Sequence, residues 1–174
     1  MMNIRAAELA DVPEVQAIYA HHVLHGVGTF EEEAPPVEEM ERRYRAVVGR
    51  GWAYLVAADA RGAVAGYAYF GQMRDRSAYR LTAETSIYVR HDARGLGVGK
   101  ALLARLLDLA TAAGFRQAVA VIGDSANAAS IALHASLGFQ HVGLLRSVGL
   151  KFGRWVDVVM MQRALGRGDL DVPE

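Results

Sequence analysis

The chain has 174 residues, 52% of them hydrophobic, which predicts one globular domain with a substantial core. The formal charge is zero, so no basic surface of the kind that binds nucleic acid or an anionic membrane is expected. Cysteine is absent, which excludes disulfides, thiol nucleophiles and thiolate metal sites. No apolar run reaches the roughly 18 residues of a membrane span, and the first residues lack an apolar signal core. A cytoplasmic enzyme or binding domain is therefore the expectation.

Hydrophobic periodicity and turn residues predict a mixed order of strands and helices. The first helix should start at Asp11, which can cap it with Glu14 three residues on, as in a capping box. A second helix should follow Pro36, a third the glycine-rich segment, and a fourth should be capped by Asn127. Strands are predicted at residues 3–7, 54–58, 64–70, 84–89, 118–122, 139–144 and 156–162. The expected fold is a single α/β domain with a mixed sheet.

A glycine-rich segment, residues 94–100, lies between an apolar strand and a leucine-rich helix. Such a turn presents free backbone amides at a helix start, where the helix dipole also attracts anions, so a phosphate-bearing ligand is expected. A P-loop would need glycine at Arg94 and Ser or Thr at Ala101, and the spacing G-x-G-x-x-G is also absent. The alternative is a glycine-rich turn without a ligand.

The remaining pattern, Arg94-x-x-Gly97-x-Gly99, resembles the pyrophosphate loop of the GCN5-related N-acetyltransferases (GNAT), which hold acetyl-CoA. Residues 123–139 resemble the second motif of the same superfamily. Residues 83–89, 119–123 and 149–157 are similar to segments of its phosphinothricin and methionine sulfoximine N-acetyltransferases. The resemblance runs from about residue 4 to 165. It implies a GNAT domain over residues 1–165, with a mixed, mostly antiparallel sheet flanked by helices on both faces. Residues 166–174 lie outside the resemblance and are polar, which predicts a mobile tail.

The resemblance also implies how the donor is held. Acetyl-CoA would be the cosubstrate, with no metal. The residues at the matching cofactor positions are Tyr88, Val89, Arg94, Gly95, Leu96, Gly97, Val98, Gly99, Lys100, Asn127 and Ser130. Among these, the backbone amide of Val89 should contact the acetyl carbonyl, and Asn127 has two compatible roles, as a helix cap and as a partner of the pantetheine arm.

Two titratable residues are candidates for proton transfer. Only a neutral amine attacks a thioester, so a base is needed, and the glutamate at the position of Glu84 is the proposed base in the resembling enzymes. The alternative is a strand glutamate paired with arginine or solvated. His134 occupies the position where many superfamily members have a tyrosine that protonates the thiolate. A helix histidine bonded to the backbone or packed on the cofactor remains equally open.

The acceptor-binding residues are predicted from a basic, aromatic loop. Arg74, Arg76 and Arg80 precede Glu84, and their guanidinium groups suit carboxylate or phosphinate oxygens, although a solvated basic loop remains an alternative. Phe30 and Tyr79 could line the pocket or belong to the core. Met73 stands where the resembling enzymes carry tryptophan, which favours a different or broader acceptor.

The leading hypothesis is an acetyl-CoA-dependent N-acetyltransferase acting on the α-amine of a small amino acid or amino-acid analogue of the phosphinothricin or methionine sulfoximine type. The alternatives are acetylation of a protein or peptide amino terminus or of a polyamine, and a non-catalytic acyl-CoA sensor. Residues 151–155 lie near a dimer contact in the resembling proteins and border the neighbouring acceptor site, which implies a homodimer. His21 and His25 are four apart on a helix but lack a third ligand, so no metal site is predicted.

Overall fold

Seven strands and four α-helices follow one another in the computed structural model, which describes residues 2–173. In chain order they are β1 (Asn3–Ala6), α1 (Val12–His25), α2 (Val37–Val48), β2 (Tyr54–Ala58), β3 (Val64–Gln72), β4 (Thr82–Val89), α3 (Val98–Ala112), β5 (Gln117–Gly123), α4 (Ala128–Ala135), β6 (Gln140–Lys151) and β7 (Arg154–Ala164). Short 3₁₀ turns occupy Leu9–Asp11, Ser77–Tyr79 and His91–Ala93.

The strands form one mixed sheet in the order β1-β2-β3-β4-β5-β7-β6. Every neighbouring pair is antiparallel except β4 and β5, which are parallel. These two strands pair only between residues 82–85 and 117–120, although β4 continues to Val89 and β5 to Gly123. The two strands therefore part at the centre of the sheet, and the opening lies beside the start of α3.

Helices cover both faces of the sheet, as predicted. On one face, α3 buries a stripe at helical spacing that includes Leu102, Leu103 and Leu106, each 0% exposed. The packing on this face also takes in Ile131 and Leu133 of α4. On the other face, α1 and α2 pack over a second cluster in which the sheet contributes several tyrosines. The predicted α/β fold with a mixed, mostly antiparallel sheet is confirmed.

The start of α1 differs from the prediction. Asp11 makes no capping bond to this helix; its carboxylate instead accepts two hydrogen bonds from Arg5, at 2.6 and 2.7 Å, and one from the Glu8 amide. Glu14 accepts from the Val64 amide at 2.9 Å. The predicted Asp11–Glu14 capping box was therefore wrong, because the Asp11 carboxylate is taken by Arg5 and the Glu8 amide, and the Glu14 carboxylate by a strand 50 residues further along the chain.

The carboxyl-terminal hairpin is longer than the sequence predicted. Strands β6 and β7 extend to a turn at Phe152 and Gly153, whose φ angles of 53° and 71° suit a two-residue hairpin loop. A register shift between Leu145 and Gly149 breaks the alternation of side chains in β6. The hydrophobic pattern of the sequence therefore did not predict the second half of this strand.

The tail after β7 has contacts with the domain. Arg116 donates to the Gly168 carbonyl and pairs with Asp171 at 2.9 Å. The mobility of residues 166–174 stays a prediction. Among the described residues, no helix has both the length and the apolar character that crossing a membrane requires.

Candidate active site

The glycine-rich loop forms the amino-terminal end of α3. Gly95 and Gly97 have φ angles of 77° and 81°, a conformation that costs other residues about 1–2 kcal/mol. Gly97 is the residue before the helix, and the first helical backbone bond runs from the Ala101 amide to the Gly97 carbonyl at 3.1 Å. The amides of Val98, Gly99 and Lys100 therefore lie in the turn where a helix leaves its amides without partners, which makes them an anion site.

A close approach at Gly99 brings this loop against two other elements. A Cβ atom at Gly99 would lie 3.2 Å from the Leu133 side chain of α4 and 3.5 Å from the Val89 side chain of β4. A larger side chain would push the loop away from both. The start of α3, the end of β4 and the middle of α4 thus meet at the opening between β4 and β5.

The hydrogen-bond pattern of β4 shows which way Val89 faces. The Arg90 amide donates to the Ala65 carbonyl at 2.9 Å and the Met73 amide to the Thr82 carbonyl at 3.0 Å. Since hydrogen-bonded pairs alternate in an antiparallel ladder, the amide and carbonyl of Val89 point away from β3. Both groups therefore face the opening, where the amide is free to donate to an incoming carbonyl oxygen.

His22 of α1 bonds to the same strand end, and sequence reasoning missed it. Its Nε2 lies 2.9 Å from the Val89 carbonyl oxygen. A carbonyl can only accept, so Nε2 carries the hydrogen. Burial lowers the pKa of His22, which favours the neutral ring. The residue had no sequence signal because its partner is 67 positions away.

On the β5 side of the opening, the backbone also packs closely against a neighbouring segment. The Asp124 amide donates to Asp157 of β7, so alternation turns the backbone of Gly123 towards the opening. A Cβ atom at Gly123 would lie only 2.1 Å from the Val27 carbonyl oxygen. Only glycine fits here, and its absence of a side chain lets the loop between α1 and α2 close over this strand.

Asn127 caps α4, as predicted. Its Oδ1 accepts from the Ser130 amide at 3.2 Å, and its Nδ2 donates to the Gly123 carbonyl at 3.4 Å. One side chain therefore ties the start of α4 to the end of β5.

His134 is buried in α4, with 5% of its surface exposed. Its Nδ1 donates to the Ser130 carbonyl at 2.8 Å, and its ring meets Phe139 edge-on at 5.1 Å. Burial lowers the pKa of His134, although the bond to Ser130 opposes the shift. The ring is therefore held neutral with Nε2 as an acceptor, so it can take up a proton but has none on Nε2 to give.

Glu84 lies half-buried in β4, on the sheet face that α1 and α2 cover. Burial raises the pKa of its carboxyl, and the positive charge of Arg74 opposes that rise. A carboxylate with a raised pKa is a stronger base than an exposed one, which suits proton removal near neutral pH.

The predicted acceptor residues come from two separate segments. Met73 is half-buried after β3, whereas Arg74, Arg76 and Tyr79 are exposed on the loop that leads to β4. Phe30 comes from the loop between α1 and α2.

Phe30 packs against β6, since a Cβ atom on Gly149 would fall 2.3 Å from its ring. Beside it, Lys151 is 1% exposed and donates through Nζ to the Thr29 carbonyl at 2.8 Å. These two contacts hold the α1–α2 loop on the terminal hairpin. Sequence reasoning did not identify Lys151 in this role.

The histidines of α1 form a cluster of rings. His21 stacks on His91 at 4.6 Å and lies 4.8 Å from His25. Within residues 2–173, no three His, Cys, Asp or Glu side chains are arranged to hold a metal ion.

Comparison with known proteins decides the family. The acetyltransferase (GNAT) domain family matches residues 4–160 of this chain. The chain belongs to the GNAT acetyltransferase family. As in the family, the donor is acetyl-CoA and the reaction is N-acetyl transfer.

Relatives with named activities align over nearly the whole GNAT domain. The chain is 48% identical to a phosphinothricin N-acetyltransferase of Alcaligenes faecalis, over 99% of this chain and 87% of that protein. It is 42% identical to an L-methionine sulfoximine/L-methionine sulfone acetyltransferase of Pseudomonas paraeruginosa, over 92% of each. A crystal structure of a GNAT superfamily phosphinothricin acetyltransferase from Sinorhizobium meliloti in complex with AcCoA superposes with a TM-score of 0.97. That protein is 48% identical, and the match covers 99% of this chain and 93% of the other.

The site fits acetyl-CoA on its own geometry. A GNAT cofactor needs anion-binding amides for its pyrophosphate and a slot for its arm. The start of α3 presents amides of this kind, and strands β4 and β5 part to leave a slot of this kind.

Proposed function

We propose that this GNAT enzyme acetylates the α-amine of a small amino acid or amino-acid analogue, of the phosphinothricin or methionine sulfoximine type, by direct attack of the amine on the thioester. The observation that carries the proposal is that one strand, β4, carries both the half-buried Glu84 and, at its end, the backbone that faces the opening. The names of the relatives supply the acceptor class.

In this proposal the donor is bound largely by backbone groups. The loop from Arg94 to Lys100 holds the pyrophosphate with its amides, and the Arg94 side chain adds charge. The opening beside Tyr88 and Val89 receives the pantetheine arm, which Asn127 and Ser130 border from α4. The Val89 amide, which faces the opening, donates to the acetyl oxygen and stabilises the negative charge that develops there.

Glu84 removes a proton from the ammonium form of the acceptor, directly or through a water. The neutral nitrogen then attacks the acetyl carbon, a carbon–nitrogen bond forms, and the tetrahedral intermediate expels CoA thiolate as the carbon–sulfur bond breaks. The remaining proton on nitrogen is released, and the thiolate takes up one proton. Since Glu84 acts as its carboxylate, the rate should rise with pH as the group ionises.

His134 has a limited part in this scheme. Its Nε2 is an acceptor, so it can pass a proton to the thiolate only after receiving one. Its hydrogen bond to Ser130 and its ring contact with Phe139 stabilise α4 and its packing. We assign it a relay or packing role, and Glu84 the role of base.

Acceptor recognition uses the exposed loop before β4. Arg74 lies near enough to Glu84 to oppose the rise of its pKa. We propose that Arg74, with Arg76, binds the α-carboxylate of the acceptor, so that the amine is directed to Glu84. Phe30, Met73 and Tyr79 line the proposed acceptor pocket.

The release of CoA thiol from acetyl-CoA tests the proposal. Acceptors should include phosphinothricin, methionine sulfoximine, methionine sulfone, a peptide and spermidine. Faster release with amino-acid analogues than with the peptide or spermidine supports the proposal. Preference for spermidine or peptide points to the alternative acetyltransferases. CoA binding without release for any acceptor points to a sensor.

We also propose that the protein is a homodimer through the terminal hairpin. Strand β6 is an edge of the sheet, and the hairpin exposes a row of large apolar side chains that monomers rarely leave uncovered. They are Val142, Leu144, Leu145, Val148, Leu150, Phe152 and Trp155. In the resembling proteins, residues 151–155 lie near a dimer contact and border the neighbouring acceptor site, which supports the proposal.

Light scattering after size exclusion tests the dimer. Val148→Asp should convert the dimer to a monomer, because a charge would be buried in the interface. Leu24→Asp on α1, where the side chain is comparably exposed, serves as the matched control. A wild-type monomer, or a Val148→Asp variant that stays dimeric, would contradict this interface. The cytoplasmic location and the domain limit at residue 165 stay predictions.

A further inference from the structure

The turn between β5 and α4, residues 124–127, lies beside the proposed donor site. It starts after Gly123, whose backbone faces the opening, and ends at Asn127, which caps α4. Asp124, the first residue of the turn, has a φ of 74°, a left-handed conformation that residues with a side chain disfavour. The turn therefore needs contacts that hold it, and those contacts set the position of Asn127.

Asp124 holds part of the turn from within. Its Oδ1 accepts from the Ala126 amide at 3.0 Å, and its carbonyl oxygen accepts from the Asn127 amide at 3.0 Å. Its Oδ2 accepts from Arg154 of β7 at 2.6 Å, and this bond is the main reason that the pKa of Asp124 is lowered. The Arg154 side chain is half-exposed, so solvent screens the pair and its contribution to holding the turn is small.

Asp157 of β7 connects the turn to the terminal hairpin. Its Oδ2 accepts from the Ser125 hydroxyl at 2.7 Å, and its backbone carbonyl accepts from the Asp124 amide at 2.9 Å. Its Oδ1 accepts at 2.8 Å from the amide of Ser147, which has a φ of 53° and lies at the register shift of β6. One carboxylate therefore binds two segments with irregular backbone, one in the hairpin and one beside the opening.

The two carboxylates of this network lie close together. The Ser147 amide and the Ser125 hydroxyl lower the pKa of Asp157. The negative charge of Asp124 opposes this shift. Like charges at close range are unfavourable unless each carboxylate has its own donors, and here each side chain has two. Neither carboxylate takes part in the proposed mechanism, and their contacts, all with the turn or the hairpin, indicate that they fix the position of the turn.

The side chain of Asn127 has several bonds to make from one position. An amide side chain has two donor hydrogens and an oxygen with two lone pairs. Its Oδ1 uses one lone pair on the Ser130 amide, and its Nδ2 uses one hydrogen on the Gly123 carbonyl. One hydrogen and one lone pair remain for the amides of the pantetheine arm. A shift of the turn would cost one of these bonds, so donor binding requires that the turn stays fixed.

We propose that Asp157 is a positioning residue for the donor: through Ser125 it fixes the β5–α4 turn, and thereby the side chain of Asn127 at the opening. The proposal rests on the donor role proposed above for Asn127. It extends the donor site to a residue of β7 that acts only through hydrogen bonds to other residues. Because the same carboxylate holds the amide of Ser147, the geometry of the hairpin and that of the donor opening are linked.

Calorimetric titration of acetyl-CoA into four variants tests this role. Asp157→Val introduces a residue suited to a strand but removes both side-chain bonds, so the dissociation constant should rise about tenfold. Ser125→Ala breaks only the bond to the turn and should raise it about threefold. Asp157→Asn can accept from the Ser147 amide and donate to the Ser125 hydroxyl, and should keep near-wild-type affinity. Ser136→Ala, the matched control, removes an exposed hydroxyl that donates to the Leu133 carbonyl at 2.8 Å at the other end of α4, and should have no effect.

A double variant separates this role from one in stability alone. Asn127→Ala should weaken acetyl-CoA binding, and adding Ser125→Ala should weaken it no further, since Ser125 acts through Asn127. Unchanged affinity in Ser125→Ala, or in a folded Asp157→Val with only a lower melting temperature, would overturn the proposal, as would additive losses in the double variant. If Asn127→Ala binds acetyl-CoA as tightly as wild type, the donor role of Asn127 fails and this proposal with it. Absence of CoA release with any acceptor is a different failure, since these titrations do not depend on turnover.

Discussion

In the proposed mechanism, the groups that bind the donor at the opening between β4 and β5 belong to the backbone: the amides of the α3 start and the Val89 amide. The groups proposed to bind and activate the acceptor are side chains from distant segments, such as Glu84 and Arg74. Binding sites built from backbone amides depend on glycines at fixed spacing, and such spacing can be recognised in a sequence. Side-chain sites can change without altering the fold, and this is where acceptor preference can differ between relatives.

The largest effect should come from the acceptor side. Glu84→Gln removes the base while keeping the shape of the side chain, so kcat should fall about 100-fold or more. The wild-type rate should fall as pH drops through the raised pKa of Glu84, and this acidic limb should vanish in the variant. Stopped assays of CoA release over pH measure both effects.

Acetyl-CoA affinity should stay unchanged in Glu84→Gln, because the proposed donor site consists of backbone groups elsewhere. Asp108→Asn, at an exposed position on α3, is the matched control. A variant that retains the wild-type rate at neutral pH would remove Glu84 as base.

The donor side should respond to backbone changes. Gly97→Val places a β-branched residue at a φ of 81°, which turns the loop amides away and should weaken acetyl-CoA binding about tenfold. Gly62→Val puts the same strain in the β2–β3 turn, at a φ of 85°, so it should lower the melting temperature without altering the dissociation constant. Equal donor affinity in both variants, by calorimetry, would show that the loop is only a turn.

An effect of similar size, on kcat and not on donor affinity, is expected at His22, which bonds to the strand end that carries the Val89 amide. His22→Leu leaves the Val89 carbonyl without its partner at 2.9 Å, and kcat should fall about tenfold, less than loss of an oxyanion donor would cause. His22→Gln can donate from a similar position and should recover most of the rate.

His25→Leu, three residues along α1 and exposed, is the control for His22. A purely structural role would lower the melting temperature of His22→Leu with no loss of kcat in the folded enzyme.

The smallest effect is expected at Lys151, which holds the α1–α2 loop through the Thr29 carbonyl. Lys151→Met keeps the volume but loses the hydrogen bond, so the KM of the acceptor should rise about fivefold. The KM of acetyl-CoA should not change. A rise in the KM for acetyl-CoA instead would show that the α1–α2 loop contributes to the donor site.

The same difference between local backbone features and contacts of distant side chains explains which features the sequence could predict. The glycine loop, the Asn127 cap and the order of strands and helices all depend on local spacing, and the structure contains them as predicted. The Asp11 cap failed because Arg5 competes for that carboxylate. His22 and Lys151 depend on contacts between remote segments, for which a single sequence has no signal.

A structure of the enzyme with CoA and its N-acetylated amino-acid product would show whether acetyl transfer takes place at the opening between β4 and β5. We expect the acetyl oxygen within hydrogen-bond distance of the Val89 amide, in this opening, and the amide nitrogen of the product on the side of Glu84. An acetyl group bound away from this opening, or a product nitrogen that neither reaches Glu84 nor is linked to it by a water, would contradict it.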